Sequence, residues 1–218
     1  MTLAADLHDR LHAPGGDPSL RCLALLHGAA VVGRFDAVEL LLDEALALAV
    51  PPERLEAAGL QVAPYGGFPR ALETLGLVAA RREGPARSPA DDRPRDDLPA
   101  AGRDTFERVY ADSTEAVLGQ LEALHPGLSA YVLEAAYGQV LARPGLTLGE
   151  REMLAVSALA LAALPAPLGS HVRGALRNGY TASAVEDILL ASSVLADERA
   201  NPVIAQALDR LSRKVYRP

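Results

Sequence analysis

Residues 147–164 read TLGEREMLAVSALALAAL. Thr147 and Glu150 have the spacing of a capping box: the threonine oxygen accepts from the amide at the third helical position, and the glutamate reaches back to the threonine amide. From Met153 to Leu164 the one polar side chain is Ser157. The helix predicted here is therefore apolar almost all round and must be buried. Ala155, Val156 and Leu159 share the face of Glu152, which sets that carboxylate against the core. Burial raises a carboxyl pKa and the positive end of a helix lowers it. The residues alone also fit a plainer role, an early-helix acid complementing the dipole with Arg151 beside it in solvent.

The rest of the chain repeats this composition. Half of the 218 residues are hydrophobic, 22% are charged and only 4% are aromatic. Alanine and leucine dominate, while the β-branched and aromatic residues that strands draw on are scarce. The predicted fold class is all-α. A net charge of −7 gives no basic footprint for phosphates, and stacking platforms are nearly absent with no tryptophan and three phenylalanines, so no nucleic acid is expected. A single cysteine, Cys22, excludes an internal disulfide and a cysteine zinc site. The longest apolar run is broken by Pro165 and Pro167 and is too short to span a bilayer, so no membrane is expected. The opening residues lack a basic end followed by an apolar core, and a cytoplasmic protein is expected.

Residues 81–103 read RREGPARSPADDRPRDDLPAAGR, with four prolines, opposed charges and one large apolar residue, Leu98. Such a segment buries too little to repay its ordering entropy, and it reads as an exposed or mobile linker. It separates a helical part over 1–80 from a second over 104–218. Helix signals predict helices at Pro18–Val32, Phe35–Ala49, from Pro51-Pro52-Glu53 to about Gly59, and after Tyr65-Gly-Gly-Phe-Pro69 to about Ala80. In the second part they predict helices from Asp104, over Ser129–Ala142, from Thr147 to about Leu164, up to Asn178-Gly179, from Thr181, and from Asn201-Pro202. A shift of 130 lays Arg21 on Arg151, Ala30 on Ala160, Ala45-Leu46 on Ala175-Leu176, Glu56 on Glu186 and Leu60 on Leu190. Helix lengths and gaps agree as well, which predicts two diverged tandem repeats.

His171 opens the amphipathic stretch Ser170-His-Val-Arg-Gly-Ala-Leu-Arg-Asn178, with Leu168, Ala175 and Leu176 beside it on the helix surface. Its imidazole is suited to acid, base or oxyanion work near neutral pH, and equally to a satisfied place in a core. Glu152 and His171 stand 19 apart on consecutive helices of one hairpin. With them go Val109-Tyr110, Ala136-Tyr-Gly-Gln-Val-Leu-Ala-Arg-Pro-Gly-Leu146, Leu148-Gly-Glu-Arg-Glu-Met-Leu154, Val185-Glu-Asp-Ile188, and Tyr65-Gly-Gly-Phe-Pro-Arg-Ala71 in the N-terminal part. In this ordered set the chain resembles the carboxymuconolactone decarboxylase family of the alkylhydroperoxidase D-like superfamily.

The superfamily's peroxidase branch has Glu, eleven residues, then Cys-x-x-Cys-x-x-x-His. Laid on Glu152 and His171, that pattern puts its cysteines on Leu164 and Pro167, so the resemblance is to the thiol-free decarboxylase branch. Tyr137 stands where that branch commonly has tryptophan, and the final motif is degraded to Asp197-Glu-Arg-Ala-Asn-Pro202. In the N-terminal repeat the two site positions carry Cys22 and Leu41, which makes that half chemically silent.

The resemblance implies cofactor-free decarboxylation of a γ-carboxylated unsaturated lactone in aromatic catabolism, with no metal and no organic cofactor, because the substrate is its own electron sink. It implies His171 at the oxyanion or in proton delivery, and Glu152 as the coupled acid. Arg173 is assigned to a substrate carboxylate or to a solvated helix charge, and Tyr137 and Tyr65 to pocket walls or ordinary packing. A homo-oligomer is implied, a trimer for a tandem chain. The competing expectation is a non-catalytic helical oligomer of the same fold. His8 and His12 are four apart, but neither Asp6 nor Asp9 completes a metal site, and they read as a solvated helix. His27 lies in an apolar helix without a visible partner.

Overall fold

The computed structural model describes residues 2–82, 84–86, 88 and 91–216. The described residues form helices and no strand: α1 Leu3–Leu11, α2 Pro18–Val32, α3 Phe35–Ala47, α4 Pro52–Gly66, α5 Phe68–Arg81, α6 Leu98–Tyr110, α7 Thr114–Leu124, and α8 Leu128–Tyr131, which continues as a π-helix over Val132–Leu141. Then come α9 Leu148–Leu161, α10 Pro165–Arg177, α11 Ala182–Ser192 and α12 Ala200–Ser212. The fold is all-α, and no helix among the described residues is long and apolar enough to cross a membrane.

The centre is the pair α2 and α9, which pack along each other. From Leu20 to Val31 every residue of α2 is buried, and on α9 every residue except Glu150. Neither helix has a polar face, so each is covered all round: α4, α10 and α11 lie against this pair, and α6 packs on α10. The capping box forms as the sequence predicts, with Glu150 N donating to Thr147 Oγ1 at 3.2 Å and Thr147 N donating to Glu150 Oε2 at 2.7 Å.

Adding 130 to the bounds of α3 returns those of α10, and α2 and α9 agree to one residue. The left-handed residues that stop these helices keep the same offset, Gly33 (φ 79°) with Ala163 (φ 56°), and Ala49 (φ 52°) with Gly179 (φ 100°). Two fully buried arginines do so too. Arg21 donates to the carbonyls of Leu11, Ala13 and Gly15 and pairs with Asp187 at 2.7 Å. Arg151 donates to the carbonyls of Arg143 and Pro144 and to Gln61 Oε1. Each ties down the chain that leads into its own helix, where an unpaired buried charge would be severely costly.

Most of the described residues of 81–97 are exposed, yet the segment is fastened to the body by polar contacts. Pro89 lies outside the described residues. Arg82 and Ser88 N both bond Glu56, Arg93 pairs with Asp91 at 2.7 Å and donates to Gly138 O at 2.9 Å, and Arg143 reaches Asp91 at 3.3 Å. The hydrogen bond from Arg93 holds the Asp91 carboxyl down at about 2. The opposed charges find partners on the body, so polar contacts fasten a segment that has little apolar surface to bury. Leu98 is buried and opens α6, with Pro99 in its first turn, six residues before the predicted start at Asp104.

Candidate active site

α9 and α10 form the hairpin on which Glu152 and His171 meet. Glu152 is fully buried and His171 nearly so, and His171 Nδ1 lies 3.0 Å from Glu152 Oε2. At that distance a protonated Nδ1 donates to the carboxylate, which leaves Nε2 as the ring nitrogen able to meet a reacting group. The other carboxylate oxygen, Oε1, is buried and accepts no hydrogen bond among the described residues. Arg151 does not stand in solvent as the plainer reading of Glu152 expected. It is 1% exposed and held by α4, and burial lowers its pKa to about 10, which leaves it charged at neutral pH.

Space for the carboxylate comes from Gly174 on α10. A side chain there would run into Glu152 Oε2 and lie 2.9 Å from its Cδ and 3.0 Å from Val109 of α6. α10 is fastened to α6 by Arg177 Nη1 on Val109 O at 2.7 Å and Asn178 Nδ2 on Arg108 O at 3.2 Å. The histidine is therefore held against both α9 and α6.

Aromatic rings close the site. Tyr65 of α4 meets His171 edge-on at 5.8 Å between centroids, and Tyr110 of α6 does so at 6.4 Å. The Tyr137 hydroxyl, from the π-helix, is 3.5 Å from that of Tyr110, and Phe106 stacks on Tyr110 at 4.2 Å. The predicted α-helix over 129–142 becomes a π-helix here, with Ala142 N bonding Tyr137 O five residues back. It crosses α6 where Gly138 lies on Leu98 O and Gly102 on Leu133 O, a backbone approach that no side chain at either position would permit. Burial pushes the pKa of Tyr65, Tyr110 and Tyr137 up, and the Glu152 charge adds to the rise in all three. All three phenols are thus hydrogen-bond donors at neutral pH, suited to an oxyanion and unsuited to act as bases.

The sequence-predicted residues do not all gather. Glu152, His171, Tyr65 and Tyr137 come together. Arg173 lies two positions from His171 on α10, where its Nη2 bonds Ser170 Oγ at 3.3 Å, and its charge is near enough to Tyr110 to work against the rise in that phenol's pKa. It makes no hydrogen bond to Glu152 or His171 among the described residues. A separate open cleft of about 460 Å³, lined by Arg93, Arg108, Arg143, Asp104, Thr105 and Thr147, includes none of the five pair and tyrosine residues.

Tyr110, Phe106 and His27 are the site residues that sequence reasoning gave no role. His27 of α2 meets Tyr65 edge-on at 5.5 Å, and its Nδ1 donates to Leu154 O at 3.0 Å. The signal was the scarcity of rings: three of only six tyrosines and one of three phenylalanines collect around one histidine.

Residues 126–210 match the family model described as Carboxymuconolactone decarboxylase family. A sequence search of curated proteins returned no match. The matched segment runs from the turn before α8 to the last turns of α12, while Tyr65 and Tyr110 come from outside it. The part of the chain that supplies Glu152, His171 and Tyr137 is thus the part that is similar to the carboxymuconolactone decarboxylase family.

Proposed function

We propose that this protein is a cofactor-free decarboxylase acting on a γ-carboxylated unsaturated lactone of the 4-carboxymuconolactone kind. The observation that carries the reading is the buried Glu152–His171 pair at 3.0 Å, walled by tyrosines that stay protonated. In the proposed reaction the bond between the ring carbon and its carboxylate breaks, and CO₂ leaves. The electron pair passes through the ring alkene to the lactone carbonyl, giving a dienolate. Tyrosine hydroxyls donate to the dienolate oxygen, and the His171 imidazolium returns one proton to carbon. Glu152 stabilises the imidazolium and fixes which ring nitrogen faces the substrate. Arg173 is left as a candidate anchor for a second carboxylate at the rim.

The shared offset of α2–α3 and α9–α10, with their helix stops and buried arginines, supports descent from a tandem repeat whose N-terminal copy, with Cys22 and Leu41 at the site positions, carries no chemistry. Phe68 and Leu72, one turn apart on α5 and each about 70% exposed, support a homo-oligomer, with the trimer as the expected form. A reduced cytoplasmic setting suits this reading.

The test is CO₂ release from γ-carboxymuconolactone by wild type, His171→Ala and Glu152→Gln. Release that falls at least about 10²-fold in both variants, with the fold intact by circular dichroism, is expected. A folded wild-type protein that releases no CO₂ overturns the substrate assignment and favours the non-catalytic oligomer. Release unaffected by His171→Ala removes the histidine's role.

A further inference from the structure

We infer that His8, His12 and Glu44, brought together where α1 meets α3, form a divalent-cation site of the zinc type that shares no residue with the Glu152–His171 pair. The sequence pairs His8 with His12 but offers only Asp6 and Asp9 nearby. The fold brings the third donor from another helix. α1 is anchored by Leu7 and Leu11, both fully buried, and the flank next to them, one residue on, carries the two imidazoles beside Glu44 on α3. His8 Nδ1 is 2.9 Å from Glu44 Oε1, and His12 Nε2 is 3.5 Å from Glu44 Oε2. One donor atom from each of the three residues lies within 4.8 Å of the others.

Zinc binds imidazole nitrogen and carboxylate oxygen at about 2.0–2.2 Å, which sets neighbouring donors in a tetrahedral shell roughly 3.3 Å apart. The separations of 2.9 and 3.5 Å lie either side of that value and run to the two oxygens of one carboxylate, so turning the carboxylate and the two exposed imidazoles gathers one donor from each residue around an ion. Two histidines at i and i+4 on one helix face, with one carboxylate, are a donor set that imidazole-preferring cations favour over calcium or magnesium. The fourth position faces solvent, since the His8 and His12 side chains are 58% and 41% exposed. The site is therefore open to an entering ion and to a water or an external ligand.

Binding would clip the last turn of α1 to α3. The segment just beyond α1 supplies Ala13 O and Gly15 O to the buried Arg21, so the clip also steadies that anchor. An ion that binds the folded chain and not the unfolded one raises thermal stability.

The experiment uses untagged, chelator-stripped full-length protein titrated with Zn²⁺ by calorimetry, with thermal unfolding in parallel. One equivalent at micromolar affinity and a rise in Tm are expected. His12→Ala, at the C-cap of α1, and Glu44→Gln, on α3, each lower the affinity at least about tenfold and shrink the Tm rise at a fixed Zn²⁺ concentration, while circular dichroism stays unchanged. The two variants sit on different helices at exposed or partly exposed positions, so misfolding of one leaves the other to decide. No binding below about 100 µM Zn²⁺, or wild-type affinity in a folded variant, overturns the site.

Discussion

Gly174 and Glu152 share one small volume: the carboxylate oxygen that meets His171 occupies the place where a side chain at Gly174 would begin. The glycine is in mid-helix, where alanine is intrinsically favoured by about 1 kcal/mol, and no left-handed backbone requires it. It is needed for close approach alone. With Val109 on the other side at 3.0 Å, an added methyl has nowhere to go without pushing the carboxylate off the imidazole.

Gly174→Ala is therefore expected to destabilise the protein by about 1–3 kcal/mol, the usual cost of overpacking, despite the gain in helix propensity. Under the proposed function it also lowers kcat about 10²-fold, because the imidazole loses its partner. Urea unfolding and CO₂ release check both. Wild-type stability together with wild-type turnover would show that Glu152 does not need this space.

His27 carries an acid-side prediction. It is fully buried, and burial lowers its pKa from 6.5 to about 4. The folded state favours the neutral ring, so this contribution is fully present above pH 6.5 and is lost as the pH falls from there toward 4. The shift corresponds to roughly 3 kcal/mol. Urea midpoints across this range should fall for wild type and fall less steeply for His27→Asn, whose amide can still donate to Leu154 O. Equal slopes for the two proteins would mean that His27 is not the group responsible.

The tyrosines work at the alkaline end. Burial raises the pKa of Tyr65, Tyr110 and Tyr137, and Tyr180 rises to about 12. Each is held protonated by the fold, so its contribution is complete below pH 10 and is lost as the pH rises through the folded-state values. Phenolate absorbance should lag behind that of the unfolded chain above pH 10 and rise together with unfolding. In the enzyme assay, Tyr110→Phe is expected to lower kcat by about 10²-fold if that hydroxyl supports the oxyanion. Turnover unchanged in Tyr110→Phe and Tyr65→Phe would assign both rings to packing.

Local signals fixed more of the fold than of the site. The Thr147–Glu150 box, Asp17-Pro18 and Thr181 mark helix starts, because caps satisfy amides within one turn. Gly59 was expected to end α4, yet the helix runs on through Pro64 to Gly66. Gly59 is there for contact, with Leu75 of α5 lying 2.8 Å from where its Cβ would be. A close-packing glycine and a stop glycine look alike until the neighbouring helix is known. The π-helix is equally hidden, since Gly138 within it looks like any helical glycine until Leu98 of α6 is seen against it. At the site, the spacing of Glu152 and His171 was readable as one hairpin, whereas Tyr110 reaches His171 from across the fold.

The helix stops provide the last prediction. Gly33 and Ala163 hold corresponding places, as do Ala49 and Gly179, and all four have positive φ. At these places glycine carries no steric cost, whereas an alanine Cβ crowds the following carbonyl at about 1–2 kcal/mol. Replacing alanine by glycine also loosens the unfolded chain, which returns roughly 0.4–1 kcal/mol. The steric term is the larger, so Ala163→Gly and Ala49→Gly are each expected to stabilise by a few tenths to about 1 kcal/mol. Ala160→Gly, inside α9 and fully buried, should destabilise instead. Opposite signs in the three urea midpoints separate backbone strain from a general effect of glycine, and a loss of stability in Ala163→Gly would show that its left-handed turn carries no strain to relieve.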